Sequence, residues 1–232
     1  FQQGSFATAE LIAPESMAGE FPRTRASCAA CTIGCEHIFQ TPDGSGVRLE
    51  YENLFALGPL CGVDNPAIVL TASRLCDQLG LDTISAGGSI AFAMECAERG
   101  LIDAPDLRFG NGQALLTLLE QIARREGLGD LLADGVRSAA ARIGQGAEAF
   151  AMHVKGLELA GYEPRGLQTM ALGFAVGTRG ADHNRSGAYQ VDFSNRVDRL
   201  APADTAVALA IETWLAVRRN AASPVTSTGQ AR

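Results

Sequence analysis

The chain has 232 residues and a net charge of −7, with 47% hydrophobic and 19% charged residues, a balance that belongs to a folded protein with ample core rather than to a disordered one. An acidic chain without clustered Lys and Arg is not built for a nucleic-acid backbone as its main partner. It contains no apolar run of about 18 residues to span a membrane and no basic-then-apolar leader, so a cytoplasmic location is expected.

The first marked feature is SCAACTIGC, residues 27 to 35, which sets Cys28, Cys31 and Cys35 in a C-x2-C-x3-C run. Thiolates bind soft or borderline metals, and loops this short can wrap one metal centre with three local ligands. The six cysteines of the chain could pair as disulfides, but such tight clustering is typical of metal ligands. An iron–sulfur cluster is the leading reading. His37 keeps a zinc site of three cysteines and one histidine open, although structural zinc usually takes its ligands as two separated pairs. Cys61, Cys76 and Cys96 are expected to be small core residues.

Helix signals dominate the rest of the chain. Asp64-Asn65-Pro66 opens a helix in which Ile68, Ala72, Leu75 and Leu79 recur at helical spacing until Gly80 stops it. A second helix is predicted from Ser85 to Gly100. Asn111 caps a third, with Leu115, Leu118, Leu119 and Ile122 as its apolar face. DLLADGVRSAAARIG predicts one shorter helix, and Asp204 caps a last one over ADTAVALAIETWLAVRRN. Residues 47–62 and 153–166, rich in Gly and Pro, read as ordered loops with short strands, and the closing AASPVTSTGQAR reads as unstructured. The fold class is therefore mainly α with few short strands. A soft boundary near residue 150 divides a helical domain, 1–150, which carries the cysteine run, from the start of a second helical domain, 151–232.

Three groups of polar residues stand out. Glu50 and Glu52 flank Tyr51; in an extended segment both carboxylates face one way and the ring the other. Either this is a solvated strand face, or one carboxylate lies inside as an acid or base with a shifted pKa. In DQLGLD, Asp77 sits on the last turn of a helix, Gly80 turns the chain and Asp82 comes just after. A carboxylate there faces the negative end of the helix dipole, so a ligand offering N–H donors, such as a pterin ring, would relieve it; a plain helix-end turn is the alternative. Finally, GYEPRG and TRGADHNRSGAY gather Tyr162, Arg165, Arg179, Asp182, His183, Asn184 and Arg185. His183, one of three histidines, is either structural or catalytic.

Taken in order from about residue 25 to 195, the cysteine run, EYENLFALGPLCG, LCDQLGLDTIS, AFAMECAERG, LADGVR, HVKGLELAGYEPRG and RGADHNRSGAY resemble the aldehyde:ferredoxin oxidoreductase family of tungsten or molybdenum bis-pterin enzymes. The resemblance implies the helical second and third domains of that family. It implies that Cys28, Cys31 and Cys35 are ligands of a 4Fe-4S cluster, and that Asp77, Gly80, Leu81 and Asp82 match the D-x-x-G-L-D/C element that binds one pterin. Glu52 and His183 would lie near the metal, Tyr162 near the substrate, and Arg185 on pterin or phosphate. The implied activity is conversion of aldehydes to carboxylic acids, with electrons leaving through the cluster to ferredoxin. The family's β-rich first domain and its second pterin element, which supplies the fourth cluster ligand, have no counterpart here, so the sequence is expected to be part of a larger protein. Two other readings remain: a subunit of an aromatic thioester reductase of benzoyl-CoA type in the same family, and a non-catalytic zinc-binding helical module.

Overall fold

A 3-10 turn at Ala9–Ile12 and helix α1 (Pro14–Met17) open the first part of the fold, where they bury Ile12 and Met17. The computed structural model describes residues 4–27 and 34–194, which fall into two units divided after Gly161.

In the first unit, strands β1 (Arg23–Ala26), β2 (Glu36–Gln40) and β3 (Gly46–Leu49) form an antiparallel sheet in that order. Alternation along β3 buries Val47 and Leu49 and exposes Gly46 and Arg48, the period of two that covers one face of a sheet. The connection from β1 to β2 is the segment that carries the cysteine run. Cys28 and Cys31 lie outside the described residues.

Helix α2 (Tyr51–Leu57) comes directly after β3 and corrects the extended reading of Glu50-Tyr51-Glu52. Glu50 is extended, with φ −97° and ψ 169°, but it is the residue from which the helix starts. The two carboxylates therefore do not share a strand face. Glu52 turns inward, whereas Tyr51 stays 45% exposed.

Helix α3 (Pro66–Leu79) begins as predicted: Asn65 accepts a hydrogen bond from the Ile68 N–H at 3.1 Å, and Pro66 fills the first helical position. Such a cap satisfies one of the orphan donors of the first turn. The buried face runs through Val69, Ala72, Ser73 and Cys76, rotated from the expected line through Ile68 and Leu75. Gly80 ends the helix at φ +68°, with the Leu81 N–H bonded to the Cys76 carbonyl at 2.9 Å, the closure that left-handed glycine permits. Asp82 then caps helix α4 (Thr83–Glu98) by accepting from the Ser85 N–H at 2.8 Å, so α4 starts two residues before the predicted Ser85.

Helix α4 is apolar nearly all round and forms the centre of the unit, with Ile90, Ala93, Met94 and Cys96 fully buried. Cys61 and Cys76 are fully buried too, as expected of core cysteines. Helix α5 (Gly112–Arg124) lays Leu115, Leu118, Leu119 and Ile122 into the core, and Asn111 accepts from the Ala114 N–H at 3.2 Å. Replacing Asn111 by Ala should lower stability by about 1 kcal/mol, read from chemical denaturation.

The single helix predicted over DLLADGVRSAAARIG is two: α6 (Leu128–Leu132) and α7 (Gly135–Ile143). The break has a tertiary cause. Gly135 takes φ +83°, and a Cβ there would lie 2.8 Å from the Glu158 carboxylate, which accepts from the Val136 N–H at 2.7 Å. Glu158 thus caps α7 from strand β5 (Leu157–Glu158), which pairs with β4 (His153–Val154) across a turn with Lys155 and Gly156 both at positive φ.

The second unit contains helices α8 (Gln168–Val176), α9 (His183–Ser186) and α10 (Tyr189–Asp192) among its described residues. Buried Asp192 accepts from the Thr169 and Met170 N–H groups at 3.1 and 2.9 Å, capping α8 from a distant element. The helix expected after Asp204 lies outside the described residues. Among these, no helix is long and apolar enough to cross a membrane.

Candidate functional site

The start of α2 builds the first group. Glu52 is 9% exposed, and its Oε2 accepts from the Gly161 N–H at 2.9 Å, while the Tyr51 hydroxyl donates to the Gly161 carbonyl at 2.6 Å. Two consecutive side chains thus hold both polar groups of one residue more than a hundred positions away. Glycine is required there, because a Cβ would come within 2.8 Å of the Phe55 ring and 3.1 Å of Tyr51. Burial, opposed by the Gly161 N–H and reinforced by the charges of Asp82 and Glu50, pushes the Glu52 carboxyl up to about 7. It is therefore poised to take or give a proton near neutral pH.

Its neighbours tie this carboxylate to the DQLGLD turn. Asn53 donates to Ser73 Oγ at 3.0 Å, Ser73 donates to the Arg48 carbonyl at 2.8 Å, and Thr83 Oγ1 donates to Asn53 Oδ1 at 3.2 Å. The beginning of α4, with Asp82 at its cap, is thereby bonded to the beginning of α2. Asp77, Gly80 and Asp82 are exposed, and the space where a Gly80 side chain would stand is open. A carboxylate offers about four acceptor positions, so the cap at Asp82 does not exhaust it. This open turn with a carboxylate on either side fits a flat ring bearing N–H donors, as the pterin reading requires.

Close to this group, Cys35 is exposed at the entry to β2, next to Glu36, which pairs with Arg48 of β3 at 3.2 Å. Arg23 Nη1 lies 3.0 and 3.2 Å from the two ring nitrogens of His37, and burial followed by the Arg23 charge pulls the His37 pKa down. A ring engaged with a guanidinium is a poor partner for zinc, which favours a thiolate site without it. Among the described residues, no group of three or more His, Cys, Asp or Glu is placed to hold a metal. The three thiols nonetheless have the chemistry that an iron–sulfur cluster needs.

In the second unit, the Tyr162 and His183 rings stack with centroids 5.0 Å apart, and Tyr189 closes the group at 4.8 Å from Tyr162 and 6.2 Å from His183. Burial lowers the His183 pKa, partly opposed by Asp182, so at neutral pH the ring is an uncharged donor and acceptor. Asp182 shapes the turn that presents it, accepting from the Asn184 and Arg185 N–H groups at 3.1 and 3.2 Å. It also receives Arg179 at 2.8 Å, with Arg185 Nε 3.8 Å away. Arg165 is paired with Glu163. Sequence reasoning did not single out Tyr189: its place six residues after His183 fits no helical period, and the turn at Gly187, φ +61°, brings the rings together.

The family model described as aldehyde ferredoxin oxidoreductase, domains 2 & 3, matches residues 1–222. The tungsten-containing aldehyde ferredoxin oxidoreductase of Pyrococcus furiosus is 41% identical over 190 residues, which cover 79% of this chain and 31% of that protein. The enzyme of the same name from Thermococcus kodakarensis is 40% identical over 190 residues, with the same coverage. A WOR-like subunit of an aliphatic sulfonate oxidoreductase from Pyrococcus furiosus is 34% identical over 149 residues, 60% of this chain and 24% of that protein. Among solved structures, the active site complex BamBC of benzoyl coenzyme A reductase, in complex with 1,5 dienoyl-CoA, shares the fold. Its TM-score is 0.60 at 23% identity, covering 84% of this chain and 32% of that one. The chain thus spans about a third of the length of the curated relatives it matches. With the match over nearly its whole length and the ordered motifs on α2, α3 and α4, the chain belongs to the aldehyde ferredoxin oxidoreductase family, to its second and third domains.

Proposed function

We propose that the protein is an oxidoreductase that converts aldehydes to carboxylic acids, with Glu52 as its acid–base group. The observation that carries this reading is the bond between Thr83 and Asn53, which sets the buried Glu52 beside the open Asp77–Asp82 turn. A proton-transfer group and a candidate ring-binding turn then meet at one end of the first unit.

The residues fit the cofactors of the family. Cys28, Cys31 and Cys35 would hold a 4Fe-4S cluster, Asp77, Gly80, Leu81 and Asp82 one pterin, and Arg185 a pterin or phosphate oxygen. When bound, a tungsten or molybdenum bis-pterin supplies the two-electron redox chemistry, and the cluster a one-electron exit to ferredoxin. The chain's own residues would do the rest. Glu52, held at Oε2 by the Gly161 N–H, would accept the proton of the attacking water. His183, uncharged at neutral pH, would donate its ring N–H to the substrate carbonyl oxygen and make its carbon more electrophilic. Tyr162, stacked on His183, would fix the ring's plane and wall the substrate side.

The test uses the full-length gene product, purified without oxygen. Brown protein with iron plus tungsten or molybdenum, and acceptor reduction coupled to aldehyde consumption, is the expected result. Turnover of aromatic coenzyme A thioesters in place of aldehydes would overturn the substrate assignment in favour of the reductase reading. Colourless protein with stoichiometric zinc and no turnover would overturn the enzymatic reading altogether.

A further inference from the structure

We propose that Tyr51 is a positioning residue for Glu52: its hydroxyl clamps the Gly161 carbonyl and thereby keeps the Gly161 N–H on the Glu52 carboxylate. The inference rests on the acid–base role proposed for Glu52. Two hydrogen bonds carry it. The Tyr51 hydroxyl donates to the Gly161 carbonyl at 2.6 Å, and the Gly161 N–H donates to Glu52 Oε2 at 2.9 Å. The two groups of Gly161 belong to different planar peptide units, the N–H to the one shared with the residue before and the carbonyl to the one shared with the residue after. Tyr51 and Glu52 each grip one plane, and between them they fix a residue that has no side chain to restrict its torsions. Without the Tyr51 hydroxyl the carbonyl plane is free to turn, and the N–H loses its aim.

That aim bears on the chemistry of the carboxyl. Burial and the charges of Asp82, at the cap of α4, and Glu50, at the start of α2, favour its protonated form, whereas the Gly161 N–H favours the carboxylate. Arg48 pairs with Glu50 and so tempers one of those charges. Helix α2 also packs on α3 and on the 3-10 turn Pro59–Cys61. From α3, Arg74 turns to Asp43, and Asp77 is exposed on the last turn. From the 3-10 turn, the protonated Cys61 thiol faces the Ala56 and Gly87 carbonyls. Tyr51 retains its own proton for the clamp, since partial burial, followed by the Glu52 charge, raises the phenol above its ordinary value of 10.

Tyr51→Phe and Tyr51→Leu in the full-length gene product separate the hydroxyl from the ring that packs on Gly161. The side chain is 45% exposed and Phe keeps the ring, so Tyr51→Phe should fold. Two profiles are measured for each variant: kcat and KM for aldehyde oxidation against pH, and stability against pH by denaturant titration. In Tyr51→Phe the midpoint of the rising kcat limb should move up by about half to one pH unit, because a loosened N–H bond favours the proton. At neutral pH kcat should then fall about twofold to fivefold and recover in alkali, with KM unchanged. The pH at which the stabilising contribution of protonated Glu52 is lost should move up with it. Tyr51→Leu should show the same displacement, with lower stability at every pH. An unmoved midpoint in Tyr51→Phe, or a kcat loss equal at all pH values, overturns the assignment. So does a displacement confined to Tyr51→Leu, which would give the effect to the ring. The stability profile needs no turnover: a wild-type protein without the rising kcat limb overturns the base role of Glu52, while a displaced stability midpoint in Tyr51→Phe still upholds the hold of Tyr51 on the carboxylate.

Discussion

Glu52→Gln in the full-length protein should lower kcat for aldehyde oxidation by about 100- to 10,000-fold, the range spanned by loss of a general acid or base, with KM changed little. Gln is close in shape, and its amide oxygen can still accept from the Gly161 N–H, so the fold of α2 should survive and the loss should be chemical. The pH profile provides an independent check. With the Glu52 carboxyl pushed up to about 7 by burial, a base role predicts wild-type turnover that rises through neutral pH, and a flat residual rate in the variant. Stability should run the other way. The folded protein keeps this proton while the unfolded chain releases it from its ordinary value of 4.5. The contribution is therefore fully present below about 4.5 and is lost as pH rises to about 7. By linkage the loss amounts to up to about 3 kcal/mol. Glu52→Gln should remove that slope, measured by denaturant titration at several pH values. A variant with wild-type turnover would take the acid–base role away from Glu52.

How much of the molecule is legible in its sequence depends on the range of the interaction concerned. Local signals read well: Asn65-Pro66, Asn111 and the left-handed Gly80 each act within one helical turn, and each stands where the sequence predicts it. The DQLGLD turn is legible for the same reason: Asp77 falls on the last turn of α3 and Gly80 closes it. The path of Glu50-Tyr51-Glu52 is not, since a helix start and a strand share an extended first residue, and only the distant Gly161 decides which side chain turns inward. The same holds for the break at Gly135. Its cause is Glu158, which sits 22 residues beyond the Val136 N–H that it caps. Asp192 likewise caps α8 from α10, 23 residues beyond Thr169. Buried carboxylates that cap a helix from another element leave no period in the sequence, and neither does the ring group of Tyr162, His183 and Tyr189.

Gly87→Ala should destabilise the protein by about 3 kcal/mol or more, against the general trend that Ala in a helix is better than Gly by up to about 1 kcal/mol. The reason is the crossing of α2 and α4. A Cβ on Gly87 would lie 2.3 Å from the Ala56 carbonyl oxygen and 2.7 Å from its carbon, backbone atoms that no rotamer change can move. The crossing is also bonded: the Cys61 thiol, protonated because burial pushes it up to about 12, lies 3.4 Å from the Ala56 carbonyl oxygen and 3.6 Å from that of Gly87. An added methyl must separate the two helices and open this clamp. Because α2 carries Glu52 and the cap of α4 carries Asp82, the separation should also stretch the Thr83–Asn53 bond and lower activity in protein that remains folded. Gly19→Ala is the control, since an added Cβ there meets nothing closer than 3.5 Å; its effect should stay within about 0.5 kcal/mol. Equal stabilities for the two variants would mean that α2 and α4 are not held this closely. The route by which helix packing keeps the carboxylate beside the DQLGLD turn would then have to be replaced by one through the Asn53–Ser73–Arg48 bonds alone.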